Sequence, residues 1–337
     1  EESLPDYLLN ENKLLGKKDA LLNLHFPKSQ ELLAKAQYRL KFEELFFIQI
    51  QLLQKKLIRK SKIKGYTFEK VGEYFNDFYN NYLPFSLTGA QKRVLKEIRK
   101  DVGSNAHMNR LLQGDVGSGK TIVALLTMLI AIDNGYQATI MAPTEILAIQ
   151  HYNGIKELLE QTDLKVELLT GSSKTKKRRE IHAGLEDGSL HILIGTHAIL
   201  EDKVQFKNLG ISIIDEQHRF GVAQRSKMWQ KNELSPHVLV MTATPIPRTL
   251  AMSVYGDLDI SVIDELPPGR KEIKTVHRYD SNRLSVFKFL KDEINKGRQA
   301  YIVYPLIQES EAMDYKDLMD GYESVVRDFP SPKYQIS

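Results

Sequence analysis

Cysteine is absent from the sequence, which excludes disulfide bonds and metal sites built from thiolates. Long apolar runs are also missing. A membrane-spanning helix needs about 20 consecutive apolar residues, whereas the longest run, 122–132, is shorter and includes Thr127. Residues 1–6 are acidic and lack the pattern of a secretory signal peptide. From these absences we expect a cytoplasmic protein with no membrane partner.

An excess of charge of either sign is missing as well. Lysine and arginine total 47 against 43 aspartates and glutamates, so the formal net charge is only +4. This balance is compatible with a nucleic-acid partner but does not argue for one, because many soluble enzymes have a similar charge. Basic runs at 55–64 and 174–179 would attract phosphate groups non-specifically, although a solvated helix face has the same composition.

Three regions of the chain differ in pattern: 1–83, 84–263 and 264–337. The first is predicted to be helical and to pack on the second; its amphipathic stretch 29–56 begins with Ser29 as a candidate N-cap. In the second, short apolar runs alternate with helical stretches, which is typical of an α/β fold with a buried parallel sheet. The predicted strands are 110–113, 139–141, 166–169, 192–194, 211–214 and 238–241.

The third region opens with the segment 266–270, whose prolines and glycine are typical of a linker. A helix over 282–296, stopped by Gly297, and a strand over 300–304 are predicted to follow. One strand with its helices cannot form a sheet domain alone. We therefore expect the incomplete start of a second α/β domain.

A glycine-rich segment after the first predicted strand has the full pattern G-x-x-x-x-G-K-[ST] of a phosphate-binding loop. Glycines let the backbone N–H groups converge on phosphate oxygens, and the following helix adds its positive dipole end. Lys120 is predicted to reach the β- and γ-phosphates, and the Thr121 hydroxyl to bind Mg²⁺. The predicted nucleotide-binding residues are Gly114, Asp115, Val116, Gly117, Ser118, Gly119, Lys120 and Thr121.

Two acids follow the apolar run 211–214, at the sheet edge where parallel α/β proteins bind ligands. Asp215 is predicted to hold Mg²⁺ and Glu216 to polarise the attacking water. Gln217 and His218 are predicted to sense the γ-phosphate. A pair of acids alone is also common at a solvated strand end, but the phosphate loop about a hundred residues earlier favours the catalytic interpretation.

Polar motifs follow the other predicted strands in the same way. They are Pro143, Thr144 and Glu145; Thr170, Gly171 and Ser172; Thr196 and His197; and Thr242, Ala243 and Thr244. Taken in order with the phosphate loop and the acids, this set resembles motifs I to III of superfamily 2 helicases. The box 215–218 with its continuation 219–222, and the run 242–250, are most similar to the RecG family of bacterial branch-migration helicases.

The resemblance implies a RecA-like P-loop domain that binds ATP and Mg²⁺ and moves along duplex DNA together with a second such domain. It implies branched DNA, such as replication forks and Holliday junctions, as the partner, and we expect a monomer. The motifs at 143–145, 170–172 and 196–197 would contact the DNA backbone, because hydroxyl and N–H groups suit phosphate oxygens. Thr242 and Thr244 would couple hydrolysis to the grip on DNA.

Phe85 and Gln91 resemble the adenine-reading segment of the same helicases. Gln91 would bond to the base edge and Phe85 would pack near the base. The alternative is that Gln91 is simply a polar residue at a helix opening. Arg248, in a proline-rich loop, would face either DNA or the second motor domain.

Four other interpretations explain less of the sequence. Transcription-repair coupling factor shares the run 242–248 but usually has a different box at 215–218, as does the restart helicase PriA. A protein that only binds nucleotide or DNA needs no water-polarising acid, and a P-loop metabolic kinase leaves the run 242–245 unexplained. Since the family's motifs V and VI would lie beyond Ser337, we expect this chain to bind ATP with Mg²⁺ but to hydrolyse it poorly.

Overall fold

The computed structural model describes residues 1–216, 234–244, 258–266, 273–304 and 318–336. It divides into two compact units, Glu1–Arg270 and Lys271–Ser337. The first unit contains the sheet and every described residue of the predicted site. The separation of a helical segment at residue 83, and the other predicted domain boundaries, stay predictions.

Helices open the first unit. They are α1 (Asp6–Glu11), α2 (Lys17–His25), α3 (Gln30–Lys62) and α4 (Glu73–Asp77), the last continuing into a π-helical turn at Phe78–Tyr82. The Ser29 hydroxyl accepts a hydrogen bond from the Leu32 N–H at 3.2 Å, which confirms the predicted N-cap. α3 extends past its predicted end because neither glycine nor proline interrupts the chain before Gly65. No helix in the described ranges is long and apolar enough to cross a membrane.

Arg39 ties α3 to the start of the chain from a fully buried position. Its guanidinium donates to Glu2 Oε1 at 2.5 Å and Glu43 Oε2 at 2.6 Å, and its Nε donates to the Leu15 carbonyl at 3.0 Å. Removing this charge from water is offset because carboxylate and carbonyl oxygens accept from the guanidinium. The helical segment is therefore anchored by a polar cluster as well as by apolar packing.

Seven parallel strands form one sheet, in the order β3-β4-β2-β5-β6-β1-β7. They are β1 (Asn109–Gly114), β2 (Gln137–Met141), β3 (Val166–Leu169), β4 (Ile192–Gly195), β5 (Leu209–Asp215), β6 (His237–Thr242) and β7 (Asp259–Ile263). The flanking helices are α5 (Gly89–Val102), α6 (Lys120–Asp133), α7 (Glu145–Leu158) and α8 (Thr175–Asp187). Leu111 and Leu112 belong to separate apolar clusters, because successive side chains of a strand point to opposite faces.

The six strands predicted from the sequence are confirmed, and so is the α/β class. β7 was not predicted. Its sequence, Asp259–Ile263, mixes polar with apolar residues and is only partly buried at the sheet edge. The long apolar run that signals a central parallel strand is therefore missing there.

The second unit, in its described residues, contains a 3₁₀ turn at Asp280–Asn282, then α9 (Arg283–Asn295) and α10 (Leu318–Asp328). The predicted helix is confirmed, and Gly297 has the left-handed φ of 80° expected after a helix. The predicted strand at 300–304 is wrong, since residues 301–304 have no regular structure. A strand requires a pairing partner, and the described part of this unit contains none.

Candidate functional site

The phosphate loop joins β1 to the N-terminus of α6. Gly117 and Gly119 have left-handed φ values of 73° and 87°, which side-chain-bearing residues adopt only with strain. Lys120 is the first residue of α6, and its Nζ donates to the carbonyl oxygens of Gly114 at 2.8 Å and Asp115 at 2.9 Å. The ammonium group therefore lies over the loop and beside the helix N-terminus, where an anionic phosphate is stabilised.

Gln91 supports this loop from the first turn of α5. Its side-chain oxygen accepts from the Thr88 N–H at 2.9 Å in a capping box, and its Nε2 donates to the Ser118 carbonyl at 2.8 Å. A Cβ added to Gly119 would lie 2.2 Å from this Nε2, so a side chain there would displace the end of Gln91 from the loop. Gln91 is thus a buried residue of α5 that supports the loop, and its contact with adenine stays a prediction. Phe85 is 46% exposed.

The acid pair lies at the carboxyl end of β5. Asp215 is the last residue of the strand and is 8% exposed. Glu216 follows with a left-handed φ of 51°, a conformation that costs a non-glycine residue about 1–2 kcal/mol. Its N–H donates to the Met241 carbonyl at 3.0 Å, and its Oε1 accepts from the Ala243 N–H at 3.3 Å. The strained turn is therefore held by β6 and the residue after it.

The sheet order brings the loop and the acids to one edge. β6 separates β1 from β5, and all three strands are parallel, so their carboxyl ends are adjacent. Neighbouring strands lie about 4.8 Å apart, which places the two motifs about 10 Å apart across the sheet. In open α/β sheets, ligands bind in the crevice outside these carboxyl ends.

The residues present fit Mg²⁺ only together with phosphate oxygens. The described residues contain no cluster of three or more side chains that could hold a metal ion without help. Mg²⁺ is commonly bound by one or two protein groups plus nucleotide phosphates and waters. Thr121, in the first turn of α6, and Asp215 are the groups predicted for it.

His151 belongs to the same edge and is not among the site residues predicted from the sequence. This residue lies in α7, and its Nε2 is 2.8 Å from Asp215 Oδ2. The side chains of both partners are nearly buried, at 11% and 12% exposure. Its spacing in the sequence could have indicated it. His151 follows Thr144, the N-cap of α7, by about two helical turns, so the two residues lie on the same face of the helix.

Comparisons with known proteins agree with this geometry. A family profile described as DEAD/DEAH box helicase matches residues 88–253. ATP-dependent DNA helicase RecG of Aquifex aeolicus is 47% identical over 98% of this chain and 43% of its own length. RecG of Thermotoga maritima is 46% identical over 99% of this chain and 42% of its own length.

A solved structure of RecG bound to a three-way DNA junction is similar with a TM-score of 0.79 and 42% identity, covering 97% of this chain and 43% of that one. This chain belongs to the RecG family. It spans less than half the length of these relatives. The helicase MrfA bound to DNA, at 19% identity and a TM-score of 0.52, shares the fold alone over 70% of this chain and 37% of its own.

In this RecG-family chain the residues at the carboxyl end of β6 contact each other as well as the acids. The hydroxyl oxygens of Thr242 and Thr244 are 2.7 Å apart, and the Thr244 N–H donates to Thr242 Oγ1 at 3.2 Å. The described bond to Glu216 comes from the Ala243 backbone instead. The coupling role of these three residues stays a prediction. Gln217, His218 and Arg248 lie outside the described residues.

The candidate DNA-facing loops of the RecG-family chain are joined to one another. Thr144 caps α7, and its side chain accepts from the Leu147 N–H at 3.3 Å. Glu145 accepts from the Ser172 N–H at 3.2 Å and from the Ser172 hydroxyl at 3.0 Å. Arg178, from the basic run, donates to the Thr170 carbonyl at 2.8 Å. This arginine therefore stabilises the loop that follows β3, a role that the overall charge of the run did not reveal.

Burial separates the predicted DNA contacts into two groups. Thr170 and Thr196 are buried, at 4% and 2% exposure. Contact with DNA stays a prediction for all eight positions, of which the half-buried or exposed ones are Pro143, Thr144, Glu145, Gly171, Ser172 and His197.

Proposed function

We propose that this chain is the ATP-binding motor part of an ATP-dependent DNA helicase. One observation carries the proposal: the phosphate loop after β1 and the acid pair after β5 meet at one sheet edge with a single strand between them. A protein that merely binds a nucleotide has no need for a strained carboxylate beside the phosphate site. Glu216 is such a residue.

The roles of the residues follow from their positions. Lys120 and the N–H groups of the glycine loop bind the β- and γ-phosphates, and Thr121 and Asp215 hold the cation. Bound Mg²⁺ supplies positive charge that neutralises the phosphate oxygens. Glu216 accepts a proton from the attacking water. The segment 217–218, by its place after the acids, is proposed to sense the γ-phosphate.

Branched DNA is the proposed partner, as at replication forks and Holliday junctions. The solved RecG relative is bound to a three-way junction. In this chain the loops after β2, β3 and β4 lie at the same sheet edge as the nucleotide site. Their hydroxyl and N–H groups suit a phosphate backbone and carry no sequence code, which agrees with recognition of branched structure over base sequence. We further propose that the protein acts as a monomer.

The proposal is tested by measuring ATP binding and hydrolysis with and without forked DNA. Lys120→Ala is expected to abolish nucleotide binding, because the ammonium group over the loop is lost. Glu216→Gln is expected to retain binding and to lower turnover by about 10²–10⁴-fold, the usual contribution of a general base. Lys92→Ala, an exposed lysine of α5, is the matched control and should behave as wild type.

Two results would contradict parts of the proposal. Unchanged turnover in Glu216→Gln would remove the catalytic role of the acid pair. Fork-stimulated turnover at ordinary helicase rates by this chain alone would contradict the expectation of poor hydrolysis. That expectation rests on the arginine of a complete second motor domain, which contributes about 10³–10⁵ in rate in related NTPases.

A further inference from the structure

The carboxylate of Asp215 is held from two sides. Its Oδ2 lies 2.8 Å from His151 Nε2, and its Oδ1 accepts at 3.1 Å from the Glu216 N–H, which it shares with the Met241 carbonyl. Since an ionised carboxylate only accepts, the imidazole donates through Nε2–H. One donor on each oxygen opposes rotation of the carboxylate plane. Each oxygen keeps a further lone pair for a cation or its water shell.

His151 reaches Asp215 from a separate element. Thr144 caps α7, and His151 lies two turns, or about 10 Å, further along the helix. The first turn of the same helix carries Glu145, which is bonded to Ser172 of the next loop. A helix is stiff over this length, so the position of the imidazole is set by α7 and not by the loop after β5.

We propose that His151 is a positioning residue that orients the Asp215 carboxylate toward Mg²⁺ bound with ATP. The inference rests on the proposed function, because it assigns a partner to the cation ligand. Substituting a residue that orients a metal ligand usually lowers the metal affinity by about 10–100-fold. The hydrogen bond is short and both side chains are nearly buried, so water does not readily replace the imidazole.

Two substitutions separate the hydrogen bond from mere packing. The side-chain nitrogen of glutamine lies near the place of Nε2, so His151→Gln keeps a donor for Asp215. Asparagine is shorter and places its nitrogen near Nδ1, so His151→Asn loses the donor. Gln150→Ala, an exposed neighbour on α7, controls for changes in the helix.

The measurement is the affinity of the 337-residue chain for a non-hydrolysable ATP analogue, in excess Mg²⁺ and in EDTA. In His151→Asn, the increase in analogue affinity that Mg²⁺ produces should be about 10–100-fold smaller than in the wild type. Its affinity in EDTA and its melting temperature should be unchanged. His151→Gln and Gln150→Ala should keep the gain.

The other outcomes overturn the inference. Equal weakening of the glutamine and asparagine variants, or equal loss in EDTA, would show that the imidazole only packs. Variants that all match the wild type would show that Asp215 needs no partner. A wild-type chain that binds the analogue without any gain from Mg²⁺ would overturn the proposed function itself, and this inference with it.

Discussion

The amino and carboxyl ends of the parallel strands, which form the amino edge and the carboxyl edge of the sheet, differ in hydrogen bonding and in backbone strain. At the amino edge, His237 at the start of β6 receives the Met108 N–H on Nδ1 at 3.0 Å and donates from Nε2 to the Tyr66 carbonyl at 2.6 Å. At the carboxyl edge, the Ser118 hydroxyl is buried without a hydrogen-bond partner in the described structure, and Glu216 is strained. At the amino edge both ring nitrogens of His237 are hydrogen-bonded within the protein, whereas the carboxyl edge keeps backbone strain and an unused hydroxyl that a ligand could engage.

Substituting a glycine at each edge should impair a different property, stability at the amino edge and ATP binding at the carboxyl edge. These are the largest effects we expect. A Cβ at Gly65 would lie 2.8 Å from the His107 Cα, and backbone cannot move aside cheaply. Gly65→Ala should therefore destabilise the fold by about 2–4 kcal/mol. Gly119→Ala meets only the flexible end of Gln91 but must adopt a left-handed φ. It should weaken ATP binding about 10–100-fold, since it distorts the phosphate loop.

Measuring both stability and affinity in both variants tests this prediction. Denaturant unfolding and ATP-analogue affinity are determined for both variants. Gly65→Ala should bind the analogue normally at temperatures where it is folded, and Gly119→Ala should lose less stability than Gly65→Ala. The same loss of stability in both, with equal affinities, would remove the distinction between the two edges.

The amino edge should also respond to acid. Burial, more than any other cause, lowers the pKa of His237 from 6.5 to about 4. Below pH 6.5 the His237 imidazole is protonated in the unfolded chain but stays neutral in the folded chain. The free energy of unfolding therefore falls as the pH drops toward 4. Between pH 7.5 and 5 this group should remove about 2 kcal/mol of unfolding free energy.

Urea unfolding at the two pH values tests this effect. His237→Gln is expected to be less stable than the wild type at pH 7.5 but to lose less on acidification, because glutamine does not titrate. His191, whose pKa is lowered mainly by burial, acts in the same direction and provides the comparison variant His191→Gln. Identical pH dependence in wild type and His237→Gln would contradict the assignment.

The smallest effect is expected at the loops of the carboxyl edge. Glu145→Gln replaces a carboxylate that accepts two bonds from Ser172 by an amide, which makes weaker ones. Stability should change by about 1 kcal/mol or less. Affinity for forked DNA should change little or rise slightly because one negative charge is removed, and its salt dependence reports the change. A large loss of affinity would show that the carboxylate itself contacts the DNA side.

Sequence reasoning worked best where a pattern has one physical cause. The phosphate loop has fixed spacing, and central parallel strands are continuous apolar runs, so both were predicted closely. β7 and the segment 300–304 show the limit of that reasoning. The first is a partly polar edge strand, and the second is an apolar run with no pairing partner among the described residues. In both places pairing between segments, not local composition, decides the structure.

The sequence by itself determined that a glycine loop would lead into a helix that begins at Lys120, and that Asp215 and Glu216 would stand at the end of a buried strand. Those features depend on backbone conformation and periodicity, which are local. Only the tertiary structure decided that β6 would separate the two motifs, that Gln91 would buttress the loop, and that His151 would hold Asp215. Gln91 and Ser118 are 27 positions apart, and His151 and Asp215 are 64 positions apart. No local sequence pattern encodes a contact between elements so far apart in the chain.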